Sequence, residues 1–241
     1  MQGQRSQINL GPRLDEASRL LGICTMRYNV PREVVFESNE RFVRLTPARV
    51  EDAEQLVEAI DESRQALRSF MPWSHYDTSN SVAFQRKRLA TIVEGFERGH
   101  DLVMHGYDAD DTFVISVGLH ARTLSPLAGE LGLWVRSAAT GRGIATLASQ
   151  MLTGLAFEHF QWRRVQYCHH ALNEASARIV QKLGFRHEGT LRHFEDPGDE
   201  RMRRDGYRCA EGATLIYGVT SDEYATLPWR SEIGSAMRVA F

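Results

Sequence analysis

Apolar and polar residues follow two periodicities along this chain. Apolar residues two positions apart predict strands over residues 42–47, 101–107, 112–120, 131–135, 164–170 and 213–219. Apolar residues three and four positions apart predict amphipathic helices over residues 50–60, 82–98, 144–155 and 175–183, and Asn173 is the predicted N-cap of the last one. A short apolar stretch at residues 66–73 predicts a second, separate helix that Pro72 ends. The polar residues 196–208 are predicted to form a long loop. This order of elements predicts an α/β domain with a mixed sheet and helices on both faces.

The two ends of the chain fit this pattern less well. Residues 1–39 are predicted to be an N-terminal extension with a short amphipathic helix at residues 14–24 and a short strand at residues 34–36. Residues 40–221 form the predicted domain. Residues 222–241 form a predicted C-terminal tail that has little periodicity after a short helix at its start. Three places for the extension remain open: against the core, against a second subunit, or without a fixed contact.

Composition and charge exclude several classes of protein. A formal net charge of -2 gives no electrostatic case for a nucleic-acid partner. No apolar run reaches the ~18 residues that a membrane helix needs, and the N-terminus lacks the apolar core of a signal peptide. The three cysteines form no Cys-x-x-Cys pair. We therefore expect a reduced, cytoplasmic protein with no membrane partner.

A loop with two glycines, Gly141 and Gly143, joins the strand at residues 131–135 to the next helix. Glycine lets the backbone approach a ligand without a Cβ in the way. The first N–H groups of a helix have no partner inside the helix, and the helix dipole adds partial positive charge there. Arg142 adds a charge-assisted contact. The loop therefore predicts a phosphate site, with a plain tight turn as the alternative.

Two nucleotide-binding motifs and a metal site do not fit. A dinucleotide fingerprint needs Gly or Ala where Thr146 stands, and an acidic residue where the next strand ends in Cys-His-His at residues 168–170. A Walker loop needs Gly-Lys-Ser/Thr, which the chain lacks. His169 and His170 are adjacent on a strand and point to opposite faces, so they cannot both bind one metal ion. We expect no metal.

Four further residues are candidates for binding a substrate. Phe70, Met71 and Trp73 form a dense apolar cluster beside a loop at residues 74–81. They either line a substrate site or pack in the core, and burial is the commoner outcome for such side chains. His170 ends its strand and is predicted to line the same cleft.

Two motifs, in order, resemble those of the GNAT acetyltransferases. Trp-Val-Arg at residues 134–136 and Thr-Gly-Arg-Gly-Ile-Ala at residues 140–145 are similar to the acetyl-CoA pyrophosphate loop of that family. Asn-Glu-Ala-Ser at residues 173–176, followed by Gln-Lys-Leu-Gly-Phe, resembles the second signature. The first motif departs at Thr140, where Gln or Arg is usual. Backbone amides make most of the phosphate contacts, so the loop is still expected to bind.

Other residues resemble the RimJ/RimL branch, which includes protein N-terminal acetyltransferases. They are Glu188 and Gly189, Arg192, and the early stretch at residues 67–73. The resemblance covers about residues 41–220 and implies a largely antiparallel sheet with a splayed parallel strand pair. It implies an acetyl-CoA site formed by Leu133, Trp134, Val135, Thr140, Gly141, Arg142, Gly143, Ile144, Ala145, Asn173 and Ser176.

The same resemblance suggests catalytic roles for Ser176 and Glu195. Ser176 aligns with a serine that acts as the general acid, and Glu195 with a glutamate that acts as the general base. Ser176 is otherwise a first-turn helix residue, and Glu195 a solvated loop carboxylate. Glu188 and His170 are the replacement bases.

These expectations lead to an acetyl-CoA-dependent N-acetyltransferase that works by direct attack in a ternary complex, since no cysteine is placed as a nucleophile. A catalytically silent CoA-binding module on the same fold is the alternative, and a different acyl donor is a third. The acceptor is either the α-amine of a peptide N-terminus or a small-molecule amine. The resemblance alone suggests a homodimer.

Overall fold

A computed structural model of the protein describes residues 29–76, 80–97, 101–120, 127–209 and 212–241. Over these residues, nine strands form one sheet in the order β7-β8-β6-β5-β4-β3-β2-β1-β9. Their bounds are β1 Glu33–Glu37, β2 Phe42–Pro47, β3 Asp101–Tyr107, β4 Phe113–His120, β5 Ala128–Val135, β6 Arg164–His170, β7 Arg186–Arg192, β8 Ala213–Thr220 and β9 Met237–Ala240. Every neighbouring pair is antiparallel except β5 and β6. The predicted mixed, largely antiparallel sheet is confirmed.

Helices cover both faces of this sheet, as predicted. The helices in the described residues are α1 Ala53–Phe70, α2 Val82–Glu97, α3 Ile144–Gly154, α4 Glu174–Leu183, α5 Glu200–Arg204, α6 Ser221–Tyr224 and α7 Arg230–Ala236. One buried cluster includes apolar side chains of α3, α4 and α7. A second lies on the face of α1 and α2. Helix α3 is buried almost completely, including its polar residues Ser149, Gln150 and Thr153, and it continues into a π-helical turn at Leu155–His159.

The parallel pair opens towards one end of the sheet. Only Ala128, Gly129 and Glu130 of β5 pair with β6, although both strands continue, to Val135 and His170. Strand β4 stays paired with β5 up to Val135, and β8 stays paired with β6 up to His170. Each of the two strands is therefore held by its outer neighbour, and a gap opens between β5 and β6. This is the splayed pair that the family resemblance implied.

Two predictions about helices were wrong. Residues 50–60 and 66–73 do not form separate helices, because α1 runs without a break to Phe70. Its buried stripe continues through Ser63 and Leu67, and Pro72 begins a 3-10 turn at Pro72–His75. The polar stretch after Asp196 is also not all loop. It contains α5, since the Asp199 side chain accepts a hydrogen bond from the Met202 N–H at 2.7 Å and Met202 is buried.

The sheet extends into both end segments. The short strand predicted at residues 34–36 is confirmed as β1, and it lies between β2 and β9. Val34 pairs with Leu45 on one side and with Val239 on the other, and the side chains of Val34 and Phe36 are fully buried. Sequence periodicity missed α7 and β9 because a seven-residue helix and a four-residue strand at the sheet edge carry little pattern. Domain limits at residues 39 and 221 remain a prediction, and the sheet continues across both. The helix predicted at residues 14–24 lies outside the described residues.

Candidate active site

The loop between β5 and α3 has the backbone geometry of an anion site. Gly141 and Gly143 have φ values of 76° and 77°, a left-handed conformation that favours glycine. Gly143 is the N-cap of α3, and no side chain caps this helix start. A Cβ at either glycine would meet open space, so it is the backbone conformation that requires glycine here. The first N–H groups of α3 can therefore face a ligand from an uncrowded surface.

Thr140, which departs from the family pattern, has a structural role in this loop. Its hydroxyl donates to the carbonyl oxygen of Ser137 at 2.8 Å, and its N–H donates to the same oxygen at 3.1 Å. These contacts close the 3-10 turn at Ser137–Ala139 just before the two glycines. The Nη1 atom of the neighbouring Arg142 lies 3.5 Å from the Asp108 carboxylate, and this arginine side chain is more than half exposed. It is accessible from solvent beside the start of α3.

The side chains of β5 divide between the two faces of the sheet. Leu133 and Val135 pack against the cluster that includes α3. Trp134 points to the opposite face, where its ring centroid lies 5.5 Å from that of Phe113 and 6.3 Å from that of Trp73. The Trp134 side chain is therefore part of the core under α1 and α2.

Helix α4 begins beside the end of β6. The Asn173 side-chain oxygen accepts a hydrogen bond from the Ser176 N–H at 3.1 Å, so the predicted N-cap is confirmed. The amide nitrogen of Asn173 is then the group that can donate to a ligand. Ser176 is half-buried, and burial raises the pKa of Tyr167 to about 12 despite a hydrogen bond with the Ser176 side chain. The Ser176 hydroxyl thus lies near a tyrosine that stays protonated.

A cavity of about 200 Å³ lies at the end of β6 and contains Glu195. Its lining residues are His170, His193, Phe194, Glu195, Pro197, Cys209, Gly212 and Thr214. The buried Thr214 hydroxyl donates to Glu195 Oε1 at 2.8 Å, which holds this carboxylate against β8. His170 is buried, and its Nδ1 accepts the Leu172 N–H at 3.2 Å. The cavity therefore combines one carboxylate with apolar and imidazole walls, an arrangement that suits an amine.

Comparison with known proteins identifies the family to which this fold belongs. A family model described as an acetyltransferase (GNAT) domain matches residues 43–186. The chain belongs to the GNAT acetyltransferase family. This GNAT chain is accordingly an acetyl-CoA-dependent N-acetyltransferase, as the resemblance implied.

Three relatives illustrate the likeness. The chain is 29% identical over 145 residues to a putative ribosomal N-acetyltransferase, YdaF, of Bacillus subtilis, a match that covers 58% of this chain and 76% of that one. Its fold is similar to that of Mycobacterium smegmatis RimJ in complex with CoA-disulfide, with a TM-score of 0.73, 24% identity and coverage of 88% and 97% of the two chains. It is also similar to an acetyltransferase of Salmonella typhimurium that modifies the N-terminal serine of ribosomal protein L7/L12, with a TM-score of 0.63, 18% identity and coverage of 78% and 99%. The two structures show a shared GNAT fold.

The residues predicted for the acceptor side of this GNAT domain fall into two groups. The Phe70 and His170 ring centroids are 6.3 Å apart, and the Arg208 guanidinium lies over Phe70 at 5.4 Å, so Phe70 is beside the cavity. Met71 and Trp73 instead pack against the core cluster of α1 and α2. For these two residues the structure favours core packing, the alternative that the sequence left open.

The replacement base Glu188 is not near the cavity. It forms an ion pair with Arg164, the first residue of β6, whereas the cavity is at the His170 end of that strand. His169 and His170 point to opposite faces, as predicted, since the His169 ring stacks on Tyr217 at 5.5 Å while His170 faces the cavity. Within the described ranges, no group of three His, Cys, Asp or Glu side chains is arranged to hold a metal ion. The helices of those same ranges include none long and apolar enough to cross a membrane.

The two described cysteines are poor nucleophiles at neutral pH. Burial and the nearby Glu130 raise the pKa of Cys168 to about 12. Burial and the nearby Glu195 raise the pKa of Cys209 to about 11. Since the thiolate is the reactive form, neither residue is activated for a covalent acetyl intermediate.

Sequence reasoning missed two residues that contact the glycine loop. Glu62 and Ser63 of α1 hydrogen-bond the turn that precedes Thr140. The one signal for them is that Ser63 is a polar residue in the otherwise apolar stripe of α1. Nothing in the sequence connects it to a turn 74 residues away.

Proposed function

We propose that this GNAT enzyme transfers the acetyl group of acetyl-CoA to the α-amine of a peptide or protein N-terminus, by direct attack in a ternary complex. The observation that carries the proposal is that β5 and β6 diverge, with the glycine loop at the end of β5 and a cavity that contains a carboxylate at the end of β6. A donor in the gap and an acceptor in the cavity would meet near the start of α4. The Salmonella typhimurium relative, which modifies an N-terminal serine, supports an α-amine as the acceptor.

Each part of the donor has a proposed binding element. The backbone amides of residues 141–145 hold the pyrophosphate, and Arg142 adds its charge. The backbone of residues 133–135 pairs with the amides of the pantetheine arm, and one N–H there polarises the acetyl carbonyl. Asn173 donates to the arm from its amide nitrogen.

Proton transfer is assigned to Glu195 and Ser176. Glu195 accepts a proton from the ammonium form of the acceptor, and the neutral amine attacks the acetyl carbonyl carbon. As the tetrahedral intermediate collapses and the C–S bond breaks, Ser176 donates its hydroxyl proton to the leaving thiolate. Ser176 regains a proton from the nitrogen of the intermediate, so the products are a neutral amide and a thiol. An α-amine, with a reference pKa of ~8, is easier to deprotonate than a lysine side chain at ~10.4, so one carboxylate is sufficient as a base.

The test is turnover of acetyl-CoA with a panel of acceptors, with thiol release as the readout. The panel contains peptides with a free N-terminus, the same peptides with a blocked N-terminus and a free lysine, and small primary amines. We expect thiol release with the free N-termini and little with the other two groups. Turnover of small amines alone would reassign the enzyme to small-molecule acceptors. Binding of acetyl-CoA without turnover of any acceptor would favour the silent CoA-binding module.

A further inference from the structure

The first half of the glycine loop is held from the opposite face of the sheet by one carboxylate. Glu62 of α1 accepts the Arg136 Nε–H on Oε2 at 2.7 Å and the Ala138 N–H on Oε1 at 2.7 Å. Both carboxylate oxygens are therefore used by the segment that connects β5 to the 3-10 turn. The Arg136 side chain is largely buried, and this is a charge-assisted pair.

The next residue of α1 completes the contact. The Ser63 hydroxyl oxygen accepts the Ser137 N–H at 2.9 Å, and Ser63 is almost fully buried. Three consecutive residues of the loop, 136–138, are thus held by two consecutive residues of a helix that is distant in sequence. We call Glu62 and Ser63 the α1 clamp.

The clamp is connected directly to the proposed pyrophosphate site. The Ala139 N–H donates to the Arg136 carbonyl oxygen at 2.9 Å, and both donors of Thr140 bond the Ser137 carbonyl oxygen. The two glycines and the first turn of α3 follow immediately. A carboxylate near an anion site opposes anion binding unless a cation neutralises it, and Arg136 does so here. The contacts of Glu62 and Ser63 therefore fit a role in positioning the loop better than direct binding of the phosphates.

We propose that Glu62 and Ser63 are positioning residues for the pyrophosphate of the donor: they hold the turn at residues 136–138 so that the amides of residues 141–145 face the phosphates. The inference rests on the proposed function, because it takes acetyl-CoA as the donor. The Arg136 hydrogen bond, opposed in part by burial, keeps the pKa of Glu62 below its ordinary value. Glu62 is thus ionised at every pH at which the acceptor amine is neutral and can react.

The experiment compares two donors in Glu62→Gln. Acetyl-CoA carries the pyrophosphate, whereas S-acetylpantetheine has the same thioester and arm without it. We expect the KM for acetyl-CoA to rise about tenfold, the scale of one charge-assisted hydrogen bond, with kcat nearly unchanged. The KM for S-acetylpantetheine should stay at the wild-type value, since that donor does not use the loop.

Two variants control the measurement. Glu58→Gln makes the same substitution at an exposed position one turn earlier on α1, and both KM values should be unchanged. Ser63→Ala removes the Ser137 contact without changing charge, and should show the same donor dependence on a smaller scale. This second variant keeps the test possible if Glu62→Gln does not fold.

The outcomes separate this inference from the proposed function. An equal loss with both donors, or no loss with either, overturns the clamp as a positioning device for the pyrophosphate. If no acceptor is turned over, the proposed function fails, and the Kd of CoA by calorimetry still reports the clamp through the same variants. A wild-type protein that binds no CoA overturns both.

Discussion

Glu195 is held at the cavity wall by the hydroxyl of a single buried threonine, Thr214. This contact directs one carboxylate oxygen to β8, and we propose that the other faces the acceptor amine. Glu195 also raises the pKa of the nearby Cys209, although burial is the larger cause. At the scale of single residues, a carboxylate near a protonated thiol supports the proposed direct transfer over a cysteine intermediate.

Glu195→Gln should lower kcat about a hundredfold, the usual contribution of a positioned general base. The amide can still accept the Thr214 hydrogen bond, so the Kd of acetyl-CoA should change little. Steady-state kinetics and calorimetry measure the two effects. Glu200→Gln, on the exposed surface of α5, is the control. An unchanged kcat would pass the base role to another group or to water.

Asp52 is a second residue with a defined charge state. Burial raises its pKa, but hydrogen bonds from His105 at 2.7 Å and from the Arg49 N–H at 2.9 Å, with the charges of both partners, outweigh burial and lower it overall. A carboxyl group whose pKa is lowered in the folded state stabilises the fold above its unfolded pKa. That stability is lost as pH falls through the folded value.

Asp52→Asn should therefore reduce the free energy of unfolding at pH 7 by about 1.5–3 kcal/mol, because the hydrogen bonds that the ionised carboxylate accepts from His105 and the Arg49 N–H are weakened. The difference between the two proteins should shrink as pH falls below ~4, the reference value of Asp. Urea denaturation of both proteins at a series of pH values measures this difference in the free energy of unfolding. Asp110→Asn, in the exposed β3–β4 turn, should have little effect at any pH. A difference that does not depend on pH would assign the loss to packing rather than to charge.

At the scale of elements, the start of α3 makes the proposed anion site by its position rather than by any one side chain. The left-handed Gly143 leads into a helix whose first N–H groups lack intrahelical partners. Helix α1 supports this arrangement from the other face through Glu62 and Ser63. Its opposite end contacts the segment that leads to the cavity, since the Ser69 carbonyl oxygen accepts the Arg208 N–H at 3.0 Å and the next residue, Cys209, lines the cavity. One helix thus contacts both halves of the candidate site.

Gly143→Glu should weaken acetyl-CoA binding at least about a hundredfold, or by roughly 2.7 kcal/mol. The substitution puts a negative charge where the phosphates are expected and a side chain on a left-handed backbone. Gly206→Glu is the matched control, since Gly206 also has a positive φ and open space around it but lies outside the loop. Calorimetric titration with acetyl-CoA measures the Kd of each variant. Equal Kd values for the two variants would mean that the pyrophosphate binds elsewhere.

At the scale of the whole molecule, the sheet joins segments from both ends of the chain. Strands β1 and β9 are side by side, and together they form the edge farthest from β7. The splayed pair lies near the middle of the strand order. The edge strands therefore contribute to stability and are separated from the site by β2, β3 and β4.

Phe36→Ala should reduce the free energy of unfolding by about 3–5 kcal/mol, since it opens a cavity at a fully buried position. The kcat of the folded protein should stay at the wild-type value. Denaturant titration and steady-state kinetics check the two parts. Val35 lies on the other face of β1 and is partly exposed, so Val35→Ala should reduce the free energy of unfolding by clearly less. A large fall in kcat for Phe36→Ala would show that this edge is coupled to the site.

Features that depend on nearby residues were predictable from the sequence. The apolar periods located most strands and helices, Asn173 marked a helix start, and Gly141 and Gly143 marked an anion-binding turn. Each follows from interactions within one or two turns of chain, where residue type and spacing determine the backbone. The family resemblance then supplied the splayed pair and the candidate roles of Ser176 and Glu195.

Contacts between distant residues came only from the folded chain. Glu62 meets Ala138, Thr214 meets Glu195, and Val34 pairs with Val239, and none of these pairs has a local signature. The facing of Trp134 also depended on which helices cover each face of the sheet. Side-chain facing and long-range contact are set by how whole elements pack, and a periodicity of two or 3.6 residues carries no information about partners elsewhere in the chain.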